Sequence, residues 1–268
     1  MIRDWEKILL VYEQAVEELK IKFKSIRKEY RNTDEYSPIE FVTGRVKKIS
    51  SIIEKAKKRN ISIDSIEDGI EDIAGIRIMC QLVDDIHRVV SLIRDRDGKD
   101  LKIVEERDYI NNMKESGYRS YHIIIKYPVH TAFGAKEILA EIQIRTLAMN
   151  FWATIEHSLN YKFKHNIPKD IKERLKTAAD AAFLLDMEMS AIRDEIMDAQ
   201  QIFQAKSTIV AKILRNIQYL YFSGKIEEIE DIRDRFFDLN EEGDINRLKE
   251  FNNYLEKLMD KYNIRKLI

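Results

Sequence analysis

Residues 72–83 break with the helical spacing around them. Ile76, Ile78, Cys80 and Leu82 alternate with Arg77, Met79 and Gln81, and a two-residue period is that of a strand, whose side chains point to opposite faces in turn. The alternation recurs over residues 137–145. Ile138, Ala140, Ile142 and Ile144 form one face there, and Leu139, Glu141, Gln143 and Arg145 the other. Residues 101–107 and 118–127 are two further strands, the latter joined to 137–145 by a turn through Pro128 and Gly134. Elsewhere the period is helical. Leu9, Tyr12, Val16, Leu19 and Phe23 predict an amphipathic helix over 4–30. Ser37-Pro38-Ile39-Glu40 reads as an N-cap, a first-turn proline and a capping-box glutamate, opening a second helix to about Asn60. Residues 84–94 and 146–163 are helical, and Pro168 begins a long helix to about Gln204. Helices, then strands, then helices predict an α+β fold with a mixed sheet flanked by helices.

Residues 205–268 carry no strand signal, and Gly224 and Gly243 divide them into helical pieces. The expected organisation is therefore a main domain over 1–204 and an all-helical extension over 205–268. Cys80 is the only cysteine, which excludes a disulfide framework or a thiolate metal cluster. A net charge of −1 excludes a chain that binds polyanions through bulk charge. The charged start and the lack of a long apolar run predict a cytoplasmic protein with no signal peptide and no membrane span.

Three clusters carry candidate chemistry. Glu141, Gln143 and Arg145 put successive polar groups on one face of a strand, an arrangement for a wet or functional surface. Asp72 stands at the mouth of the 72–83 strand, before Ala74-Gly75, where small residues admit a ligand or a backbone. If the two strands are neighbours, Asp72 and Glu141 share a face. Two carboxylates so placed suit Mg²⁺ with substrate phosphates, or a general base; a salt bridge of Asp72 to Arg77 is the alternative. The segment from Thr43 is strongly basic, with Arg45, Lys47, Lys48, Lys55, Lys57, Lys58 and Arg59. Read as a helix, it sets Arg45, Lys48, Lys55 and Arg59 so that several face one way, suited to a triphosphate or to nucleic-acid phosphates. Finally, Lys114-Glu115-Ser116-Gly117-Tyr118-Arg119-Ser120-Tyr121-His122 is a cationic, aromatic loop running into a strand. Tyr118 there suits stacking on a base, and Lys114 and Arg119 suit phosphates. His157 reads as a buried, hydrogen-bonded core histidine. The five histidines show no metal-ligand spacing, and no Walker loop or dinucleotide glycine fingerprint is present.

The ordered set Asp72-Ile73-Ala74-Gly75-Ile76-Arg77, Gly117-Tyr118-Arg119-Ser120-Tyr121-His122, Glu141-Ile142-Gln143-Ile144-Arg145-Thr146 and Asn150-Phe151-Trp152-Ala153-Thr154-Ile155-Glu156-His157 resembles the synthetase domain of RelA/SpoT-type alarmone enzymes. Residues 37–45 are similar to the small stand-alone RelQ-type synthetases. The resemblance covers roughly residues 4–204. It implies a nucleotidyltransferase-like sheet and a GTP/GDP diphosphokinase, which moves the β,γ-pyrophosphate of ATP to the 3′-hydroxyl of GDP or GTP. It also implies roles. Arg45 and Arg77 sandwich the adenine; Lys47, Lys55 and Lys58 bind the ATP phosphates. Asp72 holds Mg²⁺, and Glu141 deprotonates the acceptor and shares the metal. Tyr118 stacks on guanine and Asn150 reads its edge, while Arg107, Lys114, His122 and Gln143 position acceptor phosphates and reacting groups.

In long members of the family a hydrolase domain carries an adjacent His-Asp pair. None of the five histidines here is followed by aspartate, so synthesis without hydrolysis is expected. The resemblance further implies a homotetramer with a central allosteric pppGpp site at Lys20, Lys24, Arg27, Phe41, Thr43 and Gly44. Two other readings stay open: an RNA-binding regulator that takes single-stranded RNA on a degenerate site, and a related pyrophosphokinase with another acceptor.

Overall fold

The computed structural model describes residues 5–163, 167–224 and 229–264. The chain divides into two compact units, Met1–Ser190 and Ala191–Ile268. The first unit opens with helix α1 (Trp5–Asn32), followed by β1 (Phe41–Val46), α2 (Ile49–Lys58), the single turn α3 (Ile66–Gly69), β2 (Ala74–Cys80) and α4 (Val83–Arg94). Then come β3 (Lys102–Asp108), β4 (Tyr121–Thr131), β5 (Gly134–Thr146), α5 (Leu147–Lys162) and the start of α6 (Lys169–Ser223). The five strands form one sheet in the order β1-β2-β5-β4-β3, with β2 and β5 parallel and the other pairs antiparallel, so the sheet is mixed as expected.

One face of this sheet is apolar. Ile76, Ile78, Ile123, Ile125, Ile142 and Ile144 are fully buried, in one core with Tyr12, Leu19 and Phe23 of α1 and Ile86, Val89 and Ile93 of α4. The close approach of α1 needs a glycine. A Cβ at Gly44 would stand 2.8 Å from Val16 Cγ1 and 3.0 Å from Ile76 Cδ1. The opposite face is polar. Strand register puts Thr43 and Arg45, Gly75 and Arg77, Glu141 and Gln143, His122 and Arg107 on it, because directly paired residues share a side.

The stretch around β1 departs most from the sequence reading. Residues 41–46 belong to an edge strand, not to a helix running to Asn60. The Ser37 hydroxyl accepts from the Ile39 amide at 3.2 Å, a local turn rather than a helix cap. Ile39 is buried, and Phe-Val-Thr-Gly-Arg-Val is rich in residues that resist the helix and suit the pleat. Arg45 therefore lies on β1 and Lys48 ahead of α2, so the expected shared helix face does not form. Pro128 lies within β4, opposite Glu137, and the turn is confined to the residues between Thr131 and Gly134.

The second unit contains the end of α6, with α7 (Ile229–Glu242) and α8 (Ile245–Lys261). Ile213, Ile217, Leu220, Ile232, Phe236, Leu239, Leu248, Phe251, Leu255 and Met259 form its own core. The helical piece read from Lys206 is continuous with the long helix, since α6 runs unbroken through Gln204.

Candidate active site

Parallel pairing sets Gly75 beside Glu141 and Arg77 beside Gln143, and this register builds the site. Thr43, Gly44, Arg45, Asp72, Gly75, Ile76, Arg77, Glu141 and Gln143 line a cleft of about 210 Å³. A Cβ at Gly75 would meet only the Arg45 carbonyl, at 3.8 Å, so the glycine leaves the cleft floor clear.

Asp72, just ahead of β2, is ion-paired to Lys47 Nζ at 2.7 Å and to Lys55 Nζ at 2.9 Å. Arg77 is not its partner; the Arg77 Nε donates to Gln143 Oε1 at 3.3 Å. Burial pushes the Asp72 carboxyl up, but the two ammonium groups more than offset this and hold it below its usual value. Of the three lysines expected to act together, Lys47 and Lys55 converge on Asp72. Lys58 instead pairs with Glu54 at 2.8 Å on the exposed side of α2. Burial, with the charges of Arg145 and Arg45 nearby, lowers the Arg77 guanidinium. Arg45 and Arg77 line the cleft with Arg145 nearby, and an anion relieves the repulsion among these three guanidinium groups.

Glu141 is buried and doubly hydrogen-bonded. Its Oε1 lies 3.0 Å from His122 Nδ1, and Oε2 accepts from Gln143 Nε2 at 2.6 Å. Burial raises this carboxyl, and the bonds from His122 and Gln143 bring it net below the ordinary glutamate value. It is therefore ionised at neutral pH. A carboxylate only accepts, so the proton between them sits on His122 Nδ1; in the neutral ring Nε2 then accepts from the Tyr118 hydroxyl at 2.8 Å. Two carboxylates in one cleft give hard oxygen donors of the kind Mg²⁺ takes together with substrate phosphates. Among the described residues no cluster of three or more His, Cys, Asp or Glu stands ready to cage a metal alone.

Next to this lies the loop of residues 114–122. Tyr109 meets His122 edge-on at 5.1 Å between ring centroids and Tyr118 at 6.1 Å. The Lys114 ammonium lies over both tyrosine rings, at 4.4 and 4.9 Å. Burial raises the Tyr118 hydroxyl and lowers the Lys114 ammonium. Asn150 follows in the first turn of α5, and its Oδ1 is buried with no hydrogen-bond partner, an unmet acceptor that a ligand N–H can satisfy. Arg107 is held by Glu71, at 2.8 and 3.2 Å, and by Glu105.

Three residues of the site had no role from sequence. Arg145 is buried and donates to Ser120 Oγ at 3.2 Å, to Gln143 Oε1 at 2.8 Å and to the Tyr118 hydroxyl. Its place on the polar side of β5 was the available signal. Tyr109 and Glu71 carried none: Glu71 meets Arg107 across the sheet, and Tyr109 gains its place only when the loop that follows it folds back onto its ring. Two expectations are corrected. His157 is exposed on α5, not buried. Arg119 turns away from the cleft, toward α6. The six residues grouped for a second site gather at the α1–β1 edge without sharing a face. Arg27 bonds Glu40 at 3.3 Å, Lys20 bonds Glu17 at 2.7 Å with its stem by Gly44, and Lys24 and Phe41 are exposed. Thr43 faces the cleft while Gly44 faces α1.

Helix α5 is capped by a buried pair. Thr146 Oγ1 accepts from the Met149 amide at 3.1 Å and donates to Asp186 Oδ2 at 2.5 Å. Burial pushes Asp186 up to about 6. An acid raised on folding stabilises the fold at low pH and loses that contribution as pH rises from about 4 through about 6. Relative to Asp186→Asn, the wild type should lose at most about 3 kcal/mol across that window and no more above it. Denaturant titrations of both proteins at pH 4.5 and 7.5 check this, and a pH-independent gap would refute it.

Comparison with known proteins follows the same lines. Residues 44–166 match the model of the region found in RelA/SpoT proteins. The GTP pyrophosphokinase YjbM of Bacillus subtilis is 57% identical over 204 residues, which are 76% of this chain and 95% of that one. The small alarmone synthetase 1 of Bacillus subtilis, solved bound to its product pppGpp, superposes with a TM-score of 0.69 at 58% identity, over 72% of this chain and 97% of that one. The same synthetase bound to AMPCPP gives 0.65 at 55% identity, over 72% and 98%. With its mixed sheet and polar cleft, the chain belongs to the RelA/SpoT family, among the small alarmone synthetases.

Proposed function

We propose that this chain transfers the β,γ-pyrophosphate of ATP to the 3′-hydroxyl of GDP or GTP, making ppGpp or pppGpp and AMP. The observation that carries the reading is the convergence of Asp72 and Glu141 in one cleft lined by Arg45 and Arg77, with Lys47 and Lys55 ion-paired to Asp72. Similarity to relatives named GTP pyrophosphokinase supports the same reaction.

Each side chain has a task that follows from its place. Arg45 and Arg77 share the polar face and offer planar guanidinium groups to the adenine. Lys47 and Lys55 exchange part of their hold on Asp72 for the ATP phosphates, with Lys58 nearer the rim. Glu141, ionised and aimed by His122 and Gln143, takes the proton of the acceptor 3′-hydroxyl as its oxygen bonds to the β-phosphorus. The bond from that phosphorus to the α,β-bridging oxygen breaks, and AMP departs with the bridging oxygen. Asp72, with Glu141 alongside, would hold Mg²⁺, which when bound neutralises charge on the transferring phosphates. Alignment and charge neutralisation are most of the catalytic task in such transfers. Arg107, Lys114, His122 and Gln143 orient the acceptor, Tyr118 stacks on guanine and Asn150 reads its edge. Regulation belongs to the same proposal: pppGpp acts at Lys20, Lys24, Arg27, Phe41, Thr43 and Gly44 in a homotetramer. The packing of α1 beside the edge strand β1, with Lys24 and Phe41 exposed there, supports it.

The test is incubation with Mg²⁺, labelled ATP and each of GDP, GTP, GMP and ATP, followed by resolution of the products. Labelled guanosine 3′-pyrophosphates are expected, and their absence overturns the reading. Tyr118→Ala should raise the acceptor KM by roughly tenfold or more, the worth of one stacked base, with the KM for ATP unchanged. An equal rise in both would mean that the loop does not hold the acceptor.

A further inference from the structure

The loop of residues 114–122 is held from behind. The Arg119 side chain is only 10% exposed. One guanidinium nitrogen donates to Asp180 Oδ1 at 2.9 Å and the other to the Gly117 carbonyl at 3.2 Å. The guanidinium also lies over the Phe183 ring, 4.5 Å from its centroid. Gly117 has a φ of +86°, and a Cβ there would stand 2.8 Å from Ala179 Cβ, so the loop backbone touches α6 where only glycine fits. On the far side of the contact Tyr118 packs against Trp152, Ala153 and Ala179, and Trp152 Nε1 donates to the Leu175 carbonyl at 2.8 Å. Residues 111–116 are exposed. The backbone that carries Tyr118 is therefore fastened to α6 by this contact, in addition to the bonds that His122 and Arg145 make to the Tyr118 hydroxyl.

We infer that Asp180 and Phe183 are positioning residues of the transfer reaction, acting through Arg119 to hold the Tyr118 platform for the acceptor base. The inference rests on the proposed role of that loop, but its physical part stands apart from it. A free loop visits many ring orientations, and the acceptor must then restrict them on binding, which weakens its apparent affinity. ATP contacts other elements and is not affected. Arg119 is nearly buried and shared among Asp180, the Gly117 carbonyl, Met113 Sδ and the Phe183 ring, so the pair is more than a surface ion pair although Asp180 is 45% exposed.

The experiment uses the full chain with Asp180→Ala, Asp180→Asn and Arg119→Lys. Asp180→Ala should raise the acceptor KM between about threefold and tenfold, the range for one ordinary hydrogen bond, as suits a pair whose carboxylate is half-exposed, with ATP KM and kcat at saturating acceptor nearly unchanged. Asp180→Asn, which keeps an acceptor oxygen, should fall between it and the wild type. Arg119→Lys reaches Asp180 but cannot fork to Gly117 or stack as well, and should also be intermediate. Amide exchange at Gly117, whose N–H donates to the Lys114 carbonyl at 2.8 Å, should speed up in Asp180→Ala. Unchanged exchange, or equal changes in both KM values, overturns the clasp. A wild type that makes no guanosine product would refute the proposed reaction, while the exchange measurement would still decide the clasp.

Discussion

Glu141→Gln should lower the rate of pyrophosphate transfer by about three orders of magnitude, within the range general-base catalysis contributes. Gln is nearly isosteric. Its carbonyl oxygen can still accept from His122 or from Gln143, so the packing of a residue that is 9% exposed should survive. What disappears is the negative charge and the basicity. The His122 and Gln143 bonds keep Glu141 ionised despite burial, and no other carboxylate stands on that stretch of β5 to replace it. Single-turnover measurement with labelled ATP and GDP at saturating Mg²⁺ reads the chemical step directly. A rate within tenfold of wild type would remove Glu141 from the base role. The wild-type rate should also fall only below the ordinary glutamate range of pH, because the carboxyl is lowered rather than raised.

Much of this arrangement is legible in the sequence, for a physical reason. The alternation in β2 and β5 fixes which side chains share a face, so Glu141 and Gln143 could be set apart from Ile142 and Ile144 without coordinates. The parallel pairing that aligns Gly75 with Glu141 is a long-range event that no local period encodes. β1 shows the opposite limit. Its six residues follow a sequence that imitates a helix start and precede a run of lysines, and Gly44 interrupts the inward pattern set by Val42. Packing against α1 and pairing with β2 decide the strand, and neither is local. Arg119 was assigned to phosphates by its company in the loop, whereas Asp180 and Phe183, about sixty residues later, determine its direction. His157 fails in the same way: its neighbours are aromatic, yet its own side of α5 is exposed. Residue type indicates the chemistry available, and register and tertiary partners decide where it points.

Asp72→Asn should be nearly as damaging as loss of the base, but with a different signature. Asp72 is the shared anion of Lys47 and Lys55, and its side chain is 17% exposed. Neutralising it leaves two ammonium groups facing one site, and it removes a carboxylate from the pair suited to Mg²⁺. Activity should fall by roughly a hundredfold or more at ordinary Mg²⁺, part of which returns as Mg²⁺ is raised. For Glu141→Gln the deficit should persist at saturating metal. Stability gives a second reading. The Asp72 carboxyl is lowered on folding, so its ion pairs contribute above the unfolded-state value near 4 and are lost as pH falls through the still lower folded value. Wild type should exceed Asp72→Asn by about 1–2 kcal/mol at pH 7, between the exposed and fully buried cases, and the gap should close in acid. If Asp72→Asn keeps both its Mg²⁺ dependence and its rate, Asp72 is only a counter-ion for the two lysines. The metal must then be held by Glu141 and the substrates alone.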